Sequence, residues 1–289
     1  MNLPIHFIGV GKMGLPMAAH LKAAGHHVTV SDPDPARLAL AAGRCLPSAG
    51  SEALAQAGVV ISSLPHDDAL RTVGLAVAGA LRPGAVYVDT STVSQRVSAE
   101  VAQACAAAGV EYLRTTVSGN NHMAEAAQLT VMASGPQALH GQLLPLLRCW
   151  GPNHFWLGEA EQARLMKLVV NLMIAQTSAM LAEALSLGRK GGLDWQDMWR
   201  VIGASAVASP IVKAKSVQLS QHDYTPTFTV GQMNKDIDLI LAEGARLQVP
   251  LTQTAATRQL MAAAQAQGDG GLDYAAIIRV LQRASGLPT

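Results

Sequence analysis

Charge is scarce in this sequence, and what there is cancels: Lys and Arg number 21, Asp and Glu 20, for a formal net charge of +1 over 289 residues. No basic field is available for a polyanion, which argues against nucleic acid and anionic membrane surfaces and leaves a small molecule as the expected partner. Cysteine is rarer still. Cys45, Cys105 and Cys149 lie too far apart for a disulfide framework or a Cys-x-x-Cys metal site, and the nine histidines contain no i, i+4 pair. A reducing, cytoplasmic setting and no metal are the expectations. No basic leader precedes the first apolar segment, so a signal peptide is not expected. The most apolar long run, Leu165 to Leu187, is interrupted by Lys167, Asn171, Gln176 and Glu183, which favours a helix buried in protein over a membrane span.

Apolar residues, in contrast, are plentiful. At 49% hydrophobic the chain can bury one or two substantial cores, and its length suggests two domains. The first part alternates short apolar runs with Ala-rich helical stretches. Strands are expected at Ile5 to Val10, His27 to Ser31, Val59 to Leu64, Ala85 to Asp89, Glu111 to Leu113 and Leu129 to Ala133, with a helix at Met13 to Ala24. That alternation implies a mostly parallel sheet covered on both faces. After about residue 160 no strand-like alternation appears. A long apolar helix runs to Gly188 with a Gly191-Gly192 stop, followed by helical patterns at Trp195 to Ile202, Pro210 to Leu219, Val230 to Leu247, Thr252 to Ala266 and Tyr274 to Ala284. The expected domains are therefore residues 1–160 and 161–289, the second all-helical and opened by an interdomain helix over about 161–188.

The strongest local signal is Gly9-Val10-Gly11-Lys12-Met13-Gly14, a Gly-x-Gly-x-x-Gly run directly after the first strand and opening a helix. Gly9 allows the tight turn, Gly11 lets a pyrophosphate approach the backbone, and Gly14 lets the helix pack closely on the sheet. The helix's first amides would face the diphosphate. Alone the triplet is weak, because turns and close packing also select glycine. Context strengthens it. The second strand ends at Asp32, 18 positions after Gly14, where a carboxylate can accept from the adenosine ribose hydroxyls. The domain is thus expected to be an α/β, doubly wound Rossmann-type sheet binding a nicotinamide dinucleotide. A 2′-phosphate would meet Asp32 and Asp34, with Pro33 offering no cation and Arg37 only partial compensation, so NAD is favoured over NADP.

The motif continues as Gly14-Leu15-Pro16-Met17-Ala18, and from here the chain resembles the β-hydroxyacid dehydrogenase family, typified by 3-hydroxyisobutyrate dehydrogenase and tartronate semialdehyde reductase. The resemblance covers nearly the whole length. It includes Leu64-Pro65, Asp89-Thr90-Ser91-Thr92, Val117-Ser118-Gly119, Lys167 with Asn171, and Lys235-Asp236. The resemblance implies that Gly9, Gly11, Lys12, Met13, Gly14 and Asp32 hold the cofactor, with Leu64, Pro65 and Thr92 lining its nicotinamide half. Ser118, Gly119 and Asn120 would hold the substrate carboxylate. Lys167 would be the catalytic group with Asn171 beside it, and Lys235 would lie across the domain interface near nicotinamide and substrate, with Asp236 supporting it and counted among the substrate-binding residues. It further implies a small hydroxy acid as substrate and a homodimer or homotetramer built around the long helix.

Two stretches depart from the family pattern. Where relatives read Asp-Ala-Pro-Val-Ser-Gly-Gly, this chain reads Arg114-Thr115-Thr116-Val117-Ser118-Gly119-Asn120-Asn121, so an amide replaces the second glycine and a more polar substrate than hydroxyisobutyrate is expected. Before Lys167, the usual glycine-rich loop is reduced to Gly158.

Read from the residues alone, Lys167 sits on an otherwise apolar helix where desolvation would lower its pKa toward neutrality, suiting it to move a hydroxyl proton during hydride transfer. A lysine there can equally snorkel toward water, and Asn171 can cap a neighbouring chain. The family pattern favours the catalytic reading. Lys235-Asp236 reads either as an ordinary exposed ion pair or as part of the site. His66, Asp67 and Asp68 read as a solvated loop beside the cofactor, and His122 as a loop residue near the substrate. The reading is an NAD-dependent oxidoreductase interconverting a small 3-hydroxy acid and its carbonyl form. An imine reductase on the same scaffold and a catalytically silent NAD-binding protein are the alternatives; the lysine at position 167 argues against the first.

Overall fold

The structure, a computed structural model, describes residues 4–289. The chain divides into two compact units, one ending at Lys167 and the other running Leu168–Thr289.

The first unit holds strands β1 (Ile5–Ile8), β2 (Val28–Ser31), β3 (Val59–Ser62), β4 (Val86–Asp89), β5 (Glu111–Ser118), β6 (Thr130–Ser134) and β7 (Asn153–Trp156). Between them run helices α1 (Gly14–Ala23), α2 (Pro35–Gly43), α3 (Glu52–Gln56), α4 (Asp67–Ala80), α5 (Gln95–Ala107), α6 (Asn121–Glu125) and α7 (Gln137–Leu147). The seven strands form one sheet in the order β2-β1-β3-β4-β5-β6-β7, parallel throughout except where β5 meets β6. Side chains alternate between the two faces, as strand geometry requires. Ile5, Phe7, Val30, Ile61, Val88 and Leu113 pack into one core, while Val60, Tyr87 and Tyr112 pack into a second. Both faces are covered, which is why these strands read as near-continuous apolar runs.

Several strand ends shift by one or two residues, β3 stopping at Ser62 rather than Leu64 among them, and three differences have a visible cause. β1 stops at Ile8 rather than Val10 because Gly9 turns the chain at φ +88°. β5 runs on to Ser118 through Arg114-Thr115-Thr116, a stretch whose polarity reads as loop. Two of its polar side chains are nevertheless satisfied: Arg114 pairs with Glu161 at 2.6 Å, and the Thr116 hydroxyl donates to the Ala163 carbonyl at 3.0 Å. β7 carries no apolar run. It is an edge strand that alternates exposed and half-covered residues, and pairing with β6 defines it.

The second unit is built from α8 (Gln162–Lys190), which begins in the first unit, and from α9 (Trp195–Ala204), α10 (Pro210–Leu219), α11 (Val230–Arg246), α12 (Thr252–Ala266) and α13 (Ile277–Ala284). Ala175, Ala179, Ala182 and Leu185 turn one face of α8 into a core with Met198, Trp199, Ile237, Met261 and Ile277. By length and composition α8 could cross a membrane, but this face is committed to protein. On its other side Met166, Val169, Met173, Met180 and Leu187 are exposed. Helix starts follow local chemistry. Thr229 and Gln232 form a reciprocal capping box at α11, and the Asp194 carboxylate accepts from the first amides of α9.

Candidate active site

Parallel pairing of β1, β3 and β4 carries their carboxyl ends to one edge of the sheet, where open α/β folds bind ligands. Three loops meet there: the glycine run after β1, Ser63 to Pro65 after β3, and Thr90 to Val93 after β4. A Cβ added at Gly9 would lie 2.4 Å from the Ser63 carbonyl oxygen, so the first two loops touch backbone to backbone. The second and third are joined by the Ser91 hydroxyl, which accepts the Leu64 amide at 2.8 Å. Leu64, Pro65 and Thr92 are thereby brought together.

Each glycine of the motif has its own reason. At Gly14 a Cβ would sit 1.9 Å from the Gly9 carbonyl oxygen, which makes glycine a packing requirement. Gly11 differs, because a Cβ there meets only the tip of Arg37, at 3.5 Å. Nothing in the protein demands glycine at position 11, whereas a diphosphate lying on the loop would. α1 has Met13 at its N-cap position, with no side-chain cap and no acidic residue in its first turn, so Lys12 and Met13 lead into a helix whose first amides and positive end suit an anion. The residues present fit a dinucleotide.

Asp32 is placed differently from the sequence reading. Its side chain is 1% exposed, and its oxygens accept the Val10 and Asp34 amides at 2.9 Å each. Buried in this way, it braces the glycine loop. The exposed charges here are Asp34, whose carboxylate caps α2, and Arg37, which lies 3.5 Å from both Asp32 and Asp34.

Ser118 ends β5. Gly119 turns at φ +137°, and the Asn120 side-chain oxygen accepts the Met123 amide at 3.0 Å as the cap of α6. The amide that replaces the family's glycine is therefore half spent on starting a helix, leaving Nδ2 as its outward-acting group. Asn at a strand-to-helix junction is a capping signal that the sequence carried. His122 lies inside the same short helix. Asp67 belongs to no solvated loop: it accepts both the amide and the hydroxyl of Ser94, at 2.8 and 2.6 Å.

Lys167 is half-buried on the second turn of α8, at the end of the first unit. Asn171, Lys235 and Asp236 form one set in the second unit. The Asn171 amide donates to Asp236 Oδ2 at 2.5 Å, and Lys235 Nζ lies 2.8 Å from Oδ1. Asp236 is 1% exposed with both oxygens engaged, which makes it the holder of Asn171 and Lys235 and corrects its sequence assignment as a substrate contact.

One buried group went unnoticed in the sequence. Arg164, one turn before Lys167, has a fully buried guanidinium 2.5 Å from the equally buried Asp89. Burial opposes its charge, but Asp89, Tyr112 and Glu161 together hold the guanidinium pKa above its usual value. Burial also raises the pKa of the Tyr112 and Tyr87 hydroxyls, keeping them neutral donors. An arginine within an apolar helical run was the available signal. Among the described residues, no group of three or more His, Cys, Asp or Glu side chains could hold a metal ion.

Residues 4–158 match the NAD binding domain of 6-phosphogluconate dehydrogenase, and residues 162–281 match the NAD-binding domain of NADP-dependent 3-hydroxyisobutyrate dehydrogenase. The chain belongs to the β-hydroxyacid dehydrogenase family. Like other members of that family it pairs a Rossmann unit for a nicotinamide dinucleotide with a helical unit, and it is an oxidoreductase of the CH–OH class. It is 32% identical to 2-(hydroxymethyl)glutarate dehydrogenase of Eubacterium barkeri, over 99% of this chain and 97% of that protein. The Mycobacterium tuberculosis 3-hydroxyisobutyrate dehydrogenase, solved with L-serine, superimposes with a TM-score of 0.88 at 29% identity, covering 98% of this chain and 100% of that one. An imine reductase from Pseudomonas sp. matches less well, with a TM-score of 0.63 at 20% identity over 97% of this chain and 100% of its own, a likeness of fold alone.

Proposed function

We propose that this protein interconverts a small 3-hydroxy acid and its aldehyde or ketone, with NAD as cofactor and Lys167 as the group that moves the hydroxyl proton. The observation carrying this reading is that the start of α8 is fastened to the strand ends that bear the dinucleotide loops, with Lys167 one turn further along the helix. Bound nicotinamide supplies or takes the hydride. In reduction the Lys167 ammonium donates to the carbonyl oxygen and stabilises its developing charge; in oxidation the amine accepts the hydroxyl proton. Ser118, Gly119 and the Asn120 Nδ2 orient the substrate carboxylate, and Asn171, held by Asp236, orients the oxygen that gains or loses the proton.

NAD is favoured because Pro33 brings no cation and Arg37, the nearby one, faces two carboxylates at 3.5 Å. NADH absorbance over a panel of short hydroxy acids, including dicarboxylates and amino- or sulfonate-bearing ones, tests the substrate class. Turnover with cyclic imines but no hydroxy acid would overturn it in favour of an imine reductase, and cofactor binding without any turnover in favour of a silent protein. NAD should give the higher kcat/KM than NADP. Asp34→Ser, which relieves Arg37 of one exposed carboxylate, should move that ratio toward NADP by about two- to fivefold.

A homo-oligomer is part of the same proposal. Met166, Met173, Met180 and Leu187 recur at seven-residue intervals, with Val169 between the first two, making an exposed apolar stripe suited to a second copy's α8. Met173→Asp should convert the sedimenting species to a monomer. An unchanged sedimentation coefficient would exclude this stripe from the interface. The unpaired cysteines Cys45, Cys105 and Cys149 support a cytoplasmic setting.

A further inference from the structure

The proposed chemistry assigns no step to Arg164, yet with Asp89 it forms a fully buried ion pair. Its guanidinium is 0% exposed. Nη2 donates to Asp89 Oδ2 at 2.5 Å and to the Tyr112 hydroxyl at 3.1 Å, Nη1 donates to the Ser91 carbonyl at 2.6 Å, and Nε donates to the Ser98 hydroxyl at 3.1 Å. Asp89 Oδ1 accepts the hydroxyls of Ser62 and Ser91, at 2.5 and 2.6 Å. Ser91 Oγ then accepts the Leu64 amide at 2.8 Å.

Filling this space did not require ions. Desolvating a guanidinium and a carboxylate cancels much of their attraction, and apolar side chains of similar volume commonly serve stability as well or better. A fork of charge-assisted bonds supplies directional placement, which apolar packing lacks. One end of this network is the pair of loops carrying Leu64, Pro65 and Thr92. The other is the backbone of α8 three residues before Lys167.

We infer that Arg164 and Asp89 are positioning residues that set the distance between the Lys167 amine and the carbon exchanging hydride with nicotinamide. This inference rests on the proposed role of Lys167. A helical turn is rigid, so a shift at Arg164 reaches Lys167 almost undiminished. Misplacement of a reacting group by about 1 Å can lower the rate roughly 10²-fold.

Three variants test the inference. Ser91→Ala cuts the link from Asp89 to Leu64 and leaves the ion pair intact. Arg164→Lys keeps the charge but loses the fork. Arg164→Met with Asp89→Asn removes both charges together, so that neither is left buried and alone. Each is measured for melting temperature, NADH affinity by fluorescence, kcat, KM, and the isotope effect with NADH deuterated at the transferred position. In folded protein, NADH affinity should stay within about threefold while kcat falls roughly tenfold in the single variants and roughly 10²-fold in the double one. KM should move less than kcat, and the isotope effect on kcat should rise as the hydride step slows. Folded single variants with kcat within about twofold of the parent would overturn the inference and leave the network a structural pin; they decide the matter even if the double variant fails to fold. Parallel loss of NADH affinity and kcat would overturn it too, by assigning the network to the cofactor loops. Lys167→Ala separates the two ideas. If it leaves turnover intact the Lys167 reading fails, whereas if it abolishes turnover and the network variants do not lower it, only the positioning role fails.

Discussion

Lys167→Ala should lower kcat by about 10² to 10⁴ and leave NADH affinity nearly unchanged, because one well-placed general acid/base is worth about that factor. The loss corresponds to roughly 3 to 5 kcal/mol of transition-state stabilisation. KM should change little, since the proton is shared only as the oxygen gains or loses charge. Melting temperature should hold as well: Lys167 is half-buried and its neighbours on α8, Leu168 and Asn171, keep their buried places. Stopped-flow and steady-state NADH absorbance, with fluorescence titration of the cofactor, separate these quantities. A variant that turns over at the parental rate removes Lys167 from the chemistry, and one that has lost NADH makes it a binding residue.

The glycine motif should divide under substitution. Gly14→Ala forces a Cβ to within 1.9 Å of the Gly9 carbonyl oxygen and 3.0 Å of the Phe7 ring, so backbone must move and the fold should lose about 1 to 3 kcal/mol or more. Gly11→Ala meets only the end of the flexible Arg37 side chain at 3.5 Å, and its stability should stay within about 0.5 kcal/mol of the parent. Cofactor affinity should behave in the opposite sense. A methyl group where the diphosphate approaches should weaken NADH binding about tenfold or more in Gly11→Ala, or roughly 1.4 kcal/mol. Thermal melts with and without NADH measure both effects at once. A Gly11→Ala protein that binds NADH like the parent would mean the diphosphate does not lie on that glycine.

Much of this architecture is legible in the primary sequence because it depends on local, repeating chemistry. Short continuous apolar runs mark the central strands, and the Gly9 to Gly14 spacing marks the first turn. The long apolar stretch from Leu165 marks α8. Where the sequence reading stopped short, the cause was a partner distant in the chain. β7 has no apolar run of its own and exists because β6 offers it hydrogen-bonding groups. The polar end of β5 is a strand because Glu161 and Ala163, nearly fifty residues on, satisfy Arg114 and Thr116.

The same division runs through the site. Spacing named the glycines as candidates, since a glycine triplet after a strand is visible without coordinates, and the family resemblance singled out Lys167 and Asn171. Whether a carboxylate faces a ligand or the protein is not visible that way. Asp32 and Asp236 both read as ligand-facing, and each is buried and accepts from a distant group, the Val10 amide and the Asn171 side-chain amide, that only folding brings near. Arg164 and Asp89, 75 residues apart, become partners only when the first turn of α8 is laid against the end of β4. Sequence pattern determines which elements form and which faces are apolar, because those follow from neighbours a few positions away. The pairing of buried charges is decided by tertiary structure, because the cost of desolvating each is met by a group whose distance along the chain carries no information about its distance in space.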